Sequence, residues 1–182
     1  MGMRTAPPGE LVVRARDGDE LAWAALTERY TEMLWAIGRA YGLDRADAAD
    51  VVQLTWLRLV EHIDALRQPG RVGAWLAVTA RREAGRVLRA SWRSPCPPDD
   101  LVPERLPGPP SPDRVVDDRE RLTAVVDAIG MLPDLCRQML RLFAASPTYA
   151  EVAAALDIPV GSVGPTRARC LASLRKRLEG PA

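Results

Sequence analysis

The stretch SPCPPDDLVPERLPGPPSPD, Ser94 to Asp113, places eight prolines in 20 residues. Proline lacks the amide donor and locks φ, so neither helix nor sheet persists through such a segment. It reads as an extended, solvated linker. It divides the 182-residue chain into an N-terminal domain over residues 9–93 and a C-terminal domain over residues 114–179. A composition of 47% hydrophobic and 27% charged residues is enough for each part to bury a core. No apolar run approaches the roughly 20 residues of a membrane span, and Met1–Pro8 lacks the apolar core of a secretory signal. The expectation is a cytoplasmic protein with no membrane insertion.

Both parts read as all-helical, because no segment shows the period-2 alternation of a half-buried strand. In the first, a short helix around Glu10–Arg16 precedes a longer one bearing Leu26, Tyr30, Met33, Leu34, Ile37 and Tyr41, stopped by Gly42. Asp44 caps the next helix, with Val52, Trp56, Leu59, Ile63 and Leu66 on one side. A further helix from about Arg71 turns Leu76, Ala80, Ala84, Val87 and Leu88 inward. In the second part, one helix carries Leu122, Val125, Val126 and Ile129, and the next carries Leu135, Met139 and Leu142.

Two short helices close the chain. Thr148 and Glu151 form a T-x-x-E capping box for the first. After the turn DIPVG, Ser162 is expected to cap the last helix, with Val163, Cys170, Leu171, Leu174 and Leu178 inward and Pro165 tolerated in its first turn. A helix, a short glycine-containing turn and a basic helix make a helix-turn-helix. At 100° per residue, Pro165, Ala168, Arg169, Ala172 and Lys176 face outward, and Arg169 is best placed to read a base edge. Arg167 lies nearer the packed side, which suits a snorkelling or phosphate-contacting role.

Charge is unevenly distributed although the net charge is only +1. Residues 71–93 hold six arginines and one glutamate, net +5; residues 161–182 hold five basic residues and one glutamate, net +4. Between them, residues 94–120 hold seven acids and three arginines, net −4. Basic ends flanking an acidic connector point to a nucleic-acid partner. Arg82, Arg86, Arg89 and Arg93 fall at i, i+4, i+7 and i+11, one helical stripe of mutually repelling charges that a polyanion would relieve. Asp44, Asp47 and Asp50 either serve the helix macrodipole or belong, with Gln53, Trp56 and Leu57, to a partner-binding face. Spacing does not choose between these.

Cys96, Cys136 and Cys170 are odd in number, far apart and without a C-x-x-C pair, so no disulfide, zinc site or other cofactor is expected. Lacking a Walker lysine, a metal cluster and a Ser/His/Asp set, the chain reads as no enzyme.

DAADVVQLTWLRL (Asp47–Leu59), PGRVGAWLAVTARREAGRVLR (Pro69–Arg89) and LPDLCRQMLRLFAASPTYAEVAAALDIPVGSVGPTRARCLASLRKRL (Leu132–Leu178) together resemble an extracytoplasmic-function sigma factor of the sigma-70 family, of the actinobacterial type. The resemblance implies a region 2-like bundle and a region 4-like helix-turn-helix domain. It implies that Asp47, Asp50, Gln53, Trp56 and Leu57 dock on the β′ clamp helices of core RNA polymerase, with the β flap a further contact. It assigns Arg71, Trp75, Arg81, Arg82, Arg86 and Arg89 to the minus-ten element of promoter DNA. Thr148, Tyr149, Ser162, Gly164, Pro165, Thr166, Arg167, Ala168, Arg169 and Lys176 fall to the minus-thirty-five element. It also admits a cognate anti-sigma factor. The alternative from a different class is a free-standing helix-turn-helix regulator.

Overall fold

The computed structural model describes residues 6–91 and 123–179. The expected linker, Arg93 and Leu122 lie outside them. Every regular element among the described residues is helical. The first group comprises α1 (Pro8–Arg16), α2 (Glu20–Ala40), α3 (Arg45–His62) and α4 (Val72–Ser91), with 3-10 turns at Ile63–Ala65 and Pro69–Arg71 before α4. The second comprises α5 (123–130), α6 (Asp134–Phe143), α7 (Tyr149–Leu156) and α8 (Val160–Leu178).

Local chemistry sets these bounds. Pro8 opens α1, where a missing amide donor has no intrahelical partner to lose. Arg16 donates from Nε to the Ile63 carbonyl (2.8 Å) and from Nη2 to the Leu66 carbonyl (2.6 Å), tying α1 to the turn after α3. Asp19 caps α2 by accepting from the amides of Leu21 and Ala22, and also accepts from Arg14 Nε at 2.8 Å. Gly42, at φ +78°, ends α2 in the left-handed region while the Leu43 amide reaches back to the Gly38 carbonyl. Asp44 caps α3 by accepting from the Asp47 amide, as its position in the sequence predicts.

α2 is the central element. Leu26, Leu34 and Ile37 are fully buried and Tyr30 and Met33 nearly so. Gly38 lies so close to Ala48 that an added Cβ would sit 3.0 Å from the alanine methyl, which brings α2 and α3 together. α4 buries Val72, Leu76, Ala77, Ala80 and Ala84, while Val87 and Leu88, expected inward, are only half-buried. In the second group Met139, Leu142, Val152, Val163 and Cys170 are buried. The two groups share one continuous apolar cluster.

Several expectations are corrected. Val126, Leu135, Leu171 and Leu178 are 38–45% exposed. Helical periodicity identified their side of the helix, but the described residues of the second group do not cover all of that side. The α7 capping box is present in full, with Thr148 and Glu151 each accepting from the other's amide. α8, however, starts two residues before Ser162, with Pro159 at its cap position and no side-chain cap. Pro165 therefore lies beyond the first turn, where its ring nitrogen cannot donate to the Gly161 carbonyl. Gly161 is exposed with open space around its Cα. Cys136 and Cys170 form a disulfide with Cα atoms 5.1 Å apart, contrary to the reading of three separate thiols. Packing of α6 on α8 brings together two residues separated by 34 positions.

Arg14, as the hydrogen-bond donor to Asp19, holds that carboxyl below the ordinary aspartate range. The stabilisation is therefore present above the unfolded pKa and lost as pH falls through the lowered folded value. Asp19→Ala should lower the urea midpoint at pH 7, with the gap from the parent narrowing at acid pH, below the ordinary aspartate range. An equal gap at both pH values would remove the Asp19–Arg14 interaction from the stability of α2.

Candidate nucleic-acid interface

Arg82, Arg86 and Arg89 lie exposed along α4, as their spacing predicts. Tyr41, Arg81, Arg82, Gly85, Arg86 and Arg89 line an open hollow on that face. Buried Glu83 holds the Arg86 guanidinium at 2.6 Å, with Arg58 4.0 Å from the same oxygen. One carboxylate thus offsets part of the repulsion and leaves a basic surface. Arg71 is exposed in the 3-10 turn before α4. Trp75 is half-buried, its ring 6.4 Å from exposed His62. Arg81 departs from the group, because its Nη1 meets Asp157 at 2.6 Å and its buried Nε has no hydrogen-bond partner.

A second surface lies on α3. Asp50, Gln53 and Leu57 are exposed on one side, Asp47 is half-buried beside them, and Trp56 is half-buried on the flank against the core. Burial, and then the charges of Asp44 and Asp50, push the Asp47 carboxyl above the ordinary range. Leu54 and Val60, 39% and 57% exposed, extend the face and were not singled out in the sequence. Their spacing with Leu57 at i, i+3 and i+6 was the available signal. An acidic edge beside an exposed aliphatic strip suits a protein partner better than a polyanion.

The helix-turn-helix forms a third surface. Pro165, Ala168, Arg169 and Lys176 are exposed on α8, and Thr148 and Tyr149 are exposed at the start of α7. Ser162, Gly164 and Arg167 are half-buried. Thr166 is buried and accepts from Arg169 Nη2 at 3.2 Å, so it orients that guanidinium from below and does not itself join the exposed face. The Arg167 guanidinium lies 4.3 Å from the centre of the Phe143 ring, which also meets Tyr149 edge-on. A cation held on an aromatic face fits the snorkelling position read from the sequence.

The two helical groups touch where α7 packs on α4. The Tyr41 hydroxyl donates to the Ala155 carbonyl at 2.9 Å, Arg81 pairs with Asp157, and Arg141 donates to the Arg39 carbonyl at 3.0 Å. Burial, followed by the charge of Glu151, pushes the Tyr30 hydroxyl up to about 12. A side chain at Gly73 would have its Cβ 2.0 Å from Glu151 Oε1 and 2.8 Å from Tyr30 Cε1. Any side chain here would force the Glu151 and Tyr30 side chains to shift. Among the described residues no cluster of His, Cys, Asp and Glu is placed to hold a metal, and no helix is long and apolar enough to cross a membrane.

A family model described as sigma-70 region 2 matches residues 26–94. The chain is 28% identical over 163 residues to the ECF RNA polymerase sigma-E factor of Haemophilus influenzae, spanning 84% of this chain and 85% of the relative. It is 28% identical over 162 residues to the factor of the same name from Escherichia coli strain K12, spanning 84% of each. The solved structure of CnrH in complex with the cytosolic domain of CnrY superposes with a TM-score of 0.63 at 22% identity, over 97% of this chain and all of that one. Residues 26–94 thus match sigma-70 region 2, and over 84% of its length the chain is similar to extracytoplasmic-function sigma factors.

Gly73→Val should separate α7 from α4, at a cost of about 1–3 kcal/mol for forcing a side chain into a filled contact. Hydrogen exchange should then quicken in α7 and along the facing side of α4. Unchanged protection in both helices would mean that this contact does not hold the groups together.

Proposed function

We propose that the chain is a sigma factor of the extracytoplasmic-function group, which binds core RNA polymerase through α3 and reads a promoter with α4 and α8. The observation that carries the reading is the presence of two exposed basic helices in separate bundles, beside an acidic–aliphatic face that carries neither stripe. Asp47, Asp50, Gln53 and Leu57, joined by Leu54, form the polymerase contact, with Trp56 supporting it from the core side. Arg82, Arg86 and Arg89 track the phosphates of the minus-ten region, with Arg71 and Trp75 at the end where strands separate; stacking and a basic track suit a single strand. Arg169 and Lys176, with Pro165, Ala168, Thr148 and Tyr149, face the minus-thirty-five duplex, while Thr166, Ser162, Gly164 and Arg167 shape and support that surface. The domains run over residues 9–93 and 114–179, with residues 94–113 as the tether between them.

The packed arrangement is the resting form. Two promoter elements about 25 base pairs apart are about 85 Å apart along B-form DNA, whereas α8 follows directly on α7, which lies against α4. Engaging both elements therefore requires α7 to leave α4 and Arg81 to exchange Asp157 for phosphate. CnrH was solved with the cytosolic domain of CnrY, and by likeness to it we assign this chain a cognate anti-sigma factor as regulator. The factor works in the cytoplasm, beside polymerase, and catalyses nothing itself. Its use of a single lysine against many arginines fits a GC-rich, actinobacterial source.

Asp50→Ala with Gln53→Ala should reduce recovery of core polymerase in a pull-down while the circular dichroism spectrum stays that of the parent; full recovery would dismiss α3 as the docking face. Neutralising Arg82, Arg86 and Arg89 together should flatten the dependence of log K on log salt for promoter-complex formation by about 2–3. An unaltered slope would make the stripe a hydrated surface only.

A further inference from the structure

The Cys136–Cys170 bond is used by none of the surfaces above, and its position is specific. α8 runs for 19 residues but buries only Val163, Thr166 and Cys170. Cys170 is the last of these. Beyond it Leu171 and Leu178 are exposed and Leu174 is half-buried, so little side-chain packing holds the C-terminal half of the helix. Its covalent link to α6 is the firmest anchor of that half, and the loop it closes contains all of α7 and the turn.

The two sulfurs are unequally accessible. Cys170 is fully buried, whereas Cys136 is half-buried in the first turn of α6, next to Arg137. Among the described residues Cys136 is therefore the more open side for an incoming thiolate.

We propose that Cys136–Cys170 is a reversible redox modification site, opened and closed through Cys136 by a cellular dithiol–disulfide couple, that sets whether the C-terminal half of α8 is held or loose. In opening, a thiolate of the dithiol attacks Cys136 Sγ, forms a mixed disulfide and expels Cys170 as a thiolate that takes up a proton. The second thiol of the reductant then attacks the mixed disulfide and releases Cys136. Two electrons and two protons pass to the protein, and the reductant leaves as its own disulfide. Closing is the reverse, with an oxidised dithiol as oxidant. The proposal rests on the sigma-factor reading in one respect: that reading places the chain with polymerase in a reducing compartment, where a disulfide is usually transient or redox-sensing.

The test uses the full chain, equilibrated in glutathione buffers of increasing oxidised fraction, quenched, alkylated and mapped by mass spectrometry, with hydrogen exchange followed on parallel samples. Cys136 and Cys170 should lose reactivity together as one pair. Amides of residues 171–178 should exchange on the order of tenfold faster when the pair is reduced. Cys136→Ala, which leaves Cys170 in its buried site, should reproduce the fast exchange in every buffer. Persistent free thiols in the oxidising buffers, pairing of either cysteine with Cys96, or equal exchange in the two forms would each overturn the proposal. Association with core polymerase, measured in the same buffers, reports separately on the sigma-factor reading, since α3 lies outside the loop that the bond closes.

Discussion

Burial of α2 is the constraint from which the rest of the structure follows. Leu26, Tyr30, Met33, Leu34 and Ile37 give this helix an apolar side broad enough to meet α1, α3, α4 and α6. Each such side chain contributes about 1.5–3 kcal/mol when fully buried. Because α6 belongs to the second group, the same helix that organises the first bundle also receives the second. Tyr41, just past its C-terminus, adds a polar tie by donating to α7.

What this core does not require is left for function. The arginine side of α4, the Asp50–Leu57 side of α3 and the outer side of α8 could all be more neutral or more polar without loss of packing. Like charges along α4 oppose helix stability, and Glu83 offsets only part of that. The exposed aliphatic side chains of α3 gain nothing from water. On the proposed function, the residues of α4 and α3 that work against the stability of the free chain are accounted for by partners that cover them. The Arg81–Asp157 pair adds little stability, because Asp157 is well exposed. Its meaning is geometric: it occupies an arginine that the open form would direct to phosphate.

Periodicity and capping chemistry made most of the helices legible in the sequence. Asp44 and the Thr148–Glu151 box are local signals, and each caps the helix it was read to cap. Helix-face arithmetic likewise placed Arg169, Ala168 and Lys176 outward and Arg167 nearer the packed side, where the structure sets it on the Phe143 ring. It failed where the outcome depended on what lay opposite. Leu171 and Leu178 have the right spacing for a core face, but among the described residues no helix covers them. Pro165 suggested a first turn, yet exposed Gly161 and the Gly164 before the proline let α8 begin earlier. The disulfide carried no spacing signal at all, since only the fold brings α6 and α8 together. The contact of α7 on α4 was also invisible, although Gly73 marks it once the structure is known.

The central claim is that these surfaces let one chain confer promoter-specific initiation on an enzyme it does not itself contain. Reconstituted run-off transcription with purified core RNA polymerase over a genomic promoter library measures this directly. The account predicts discrete transcripts that appear only when the chain is added. Absence of any such transcript, together with tight unaided binding of the chain to duplex DNA as a symmetric pair, would contradict it and identify a free-standing regulator instead.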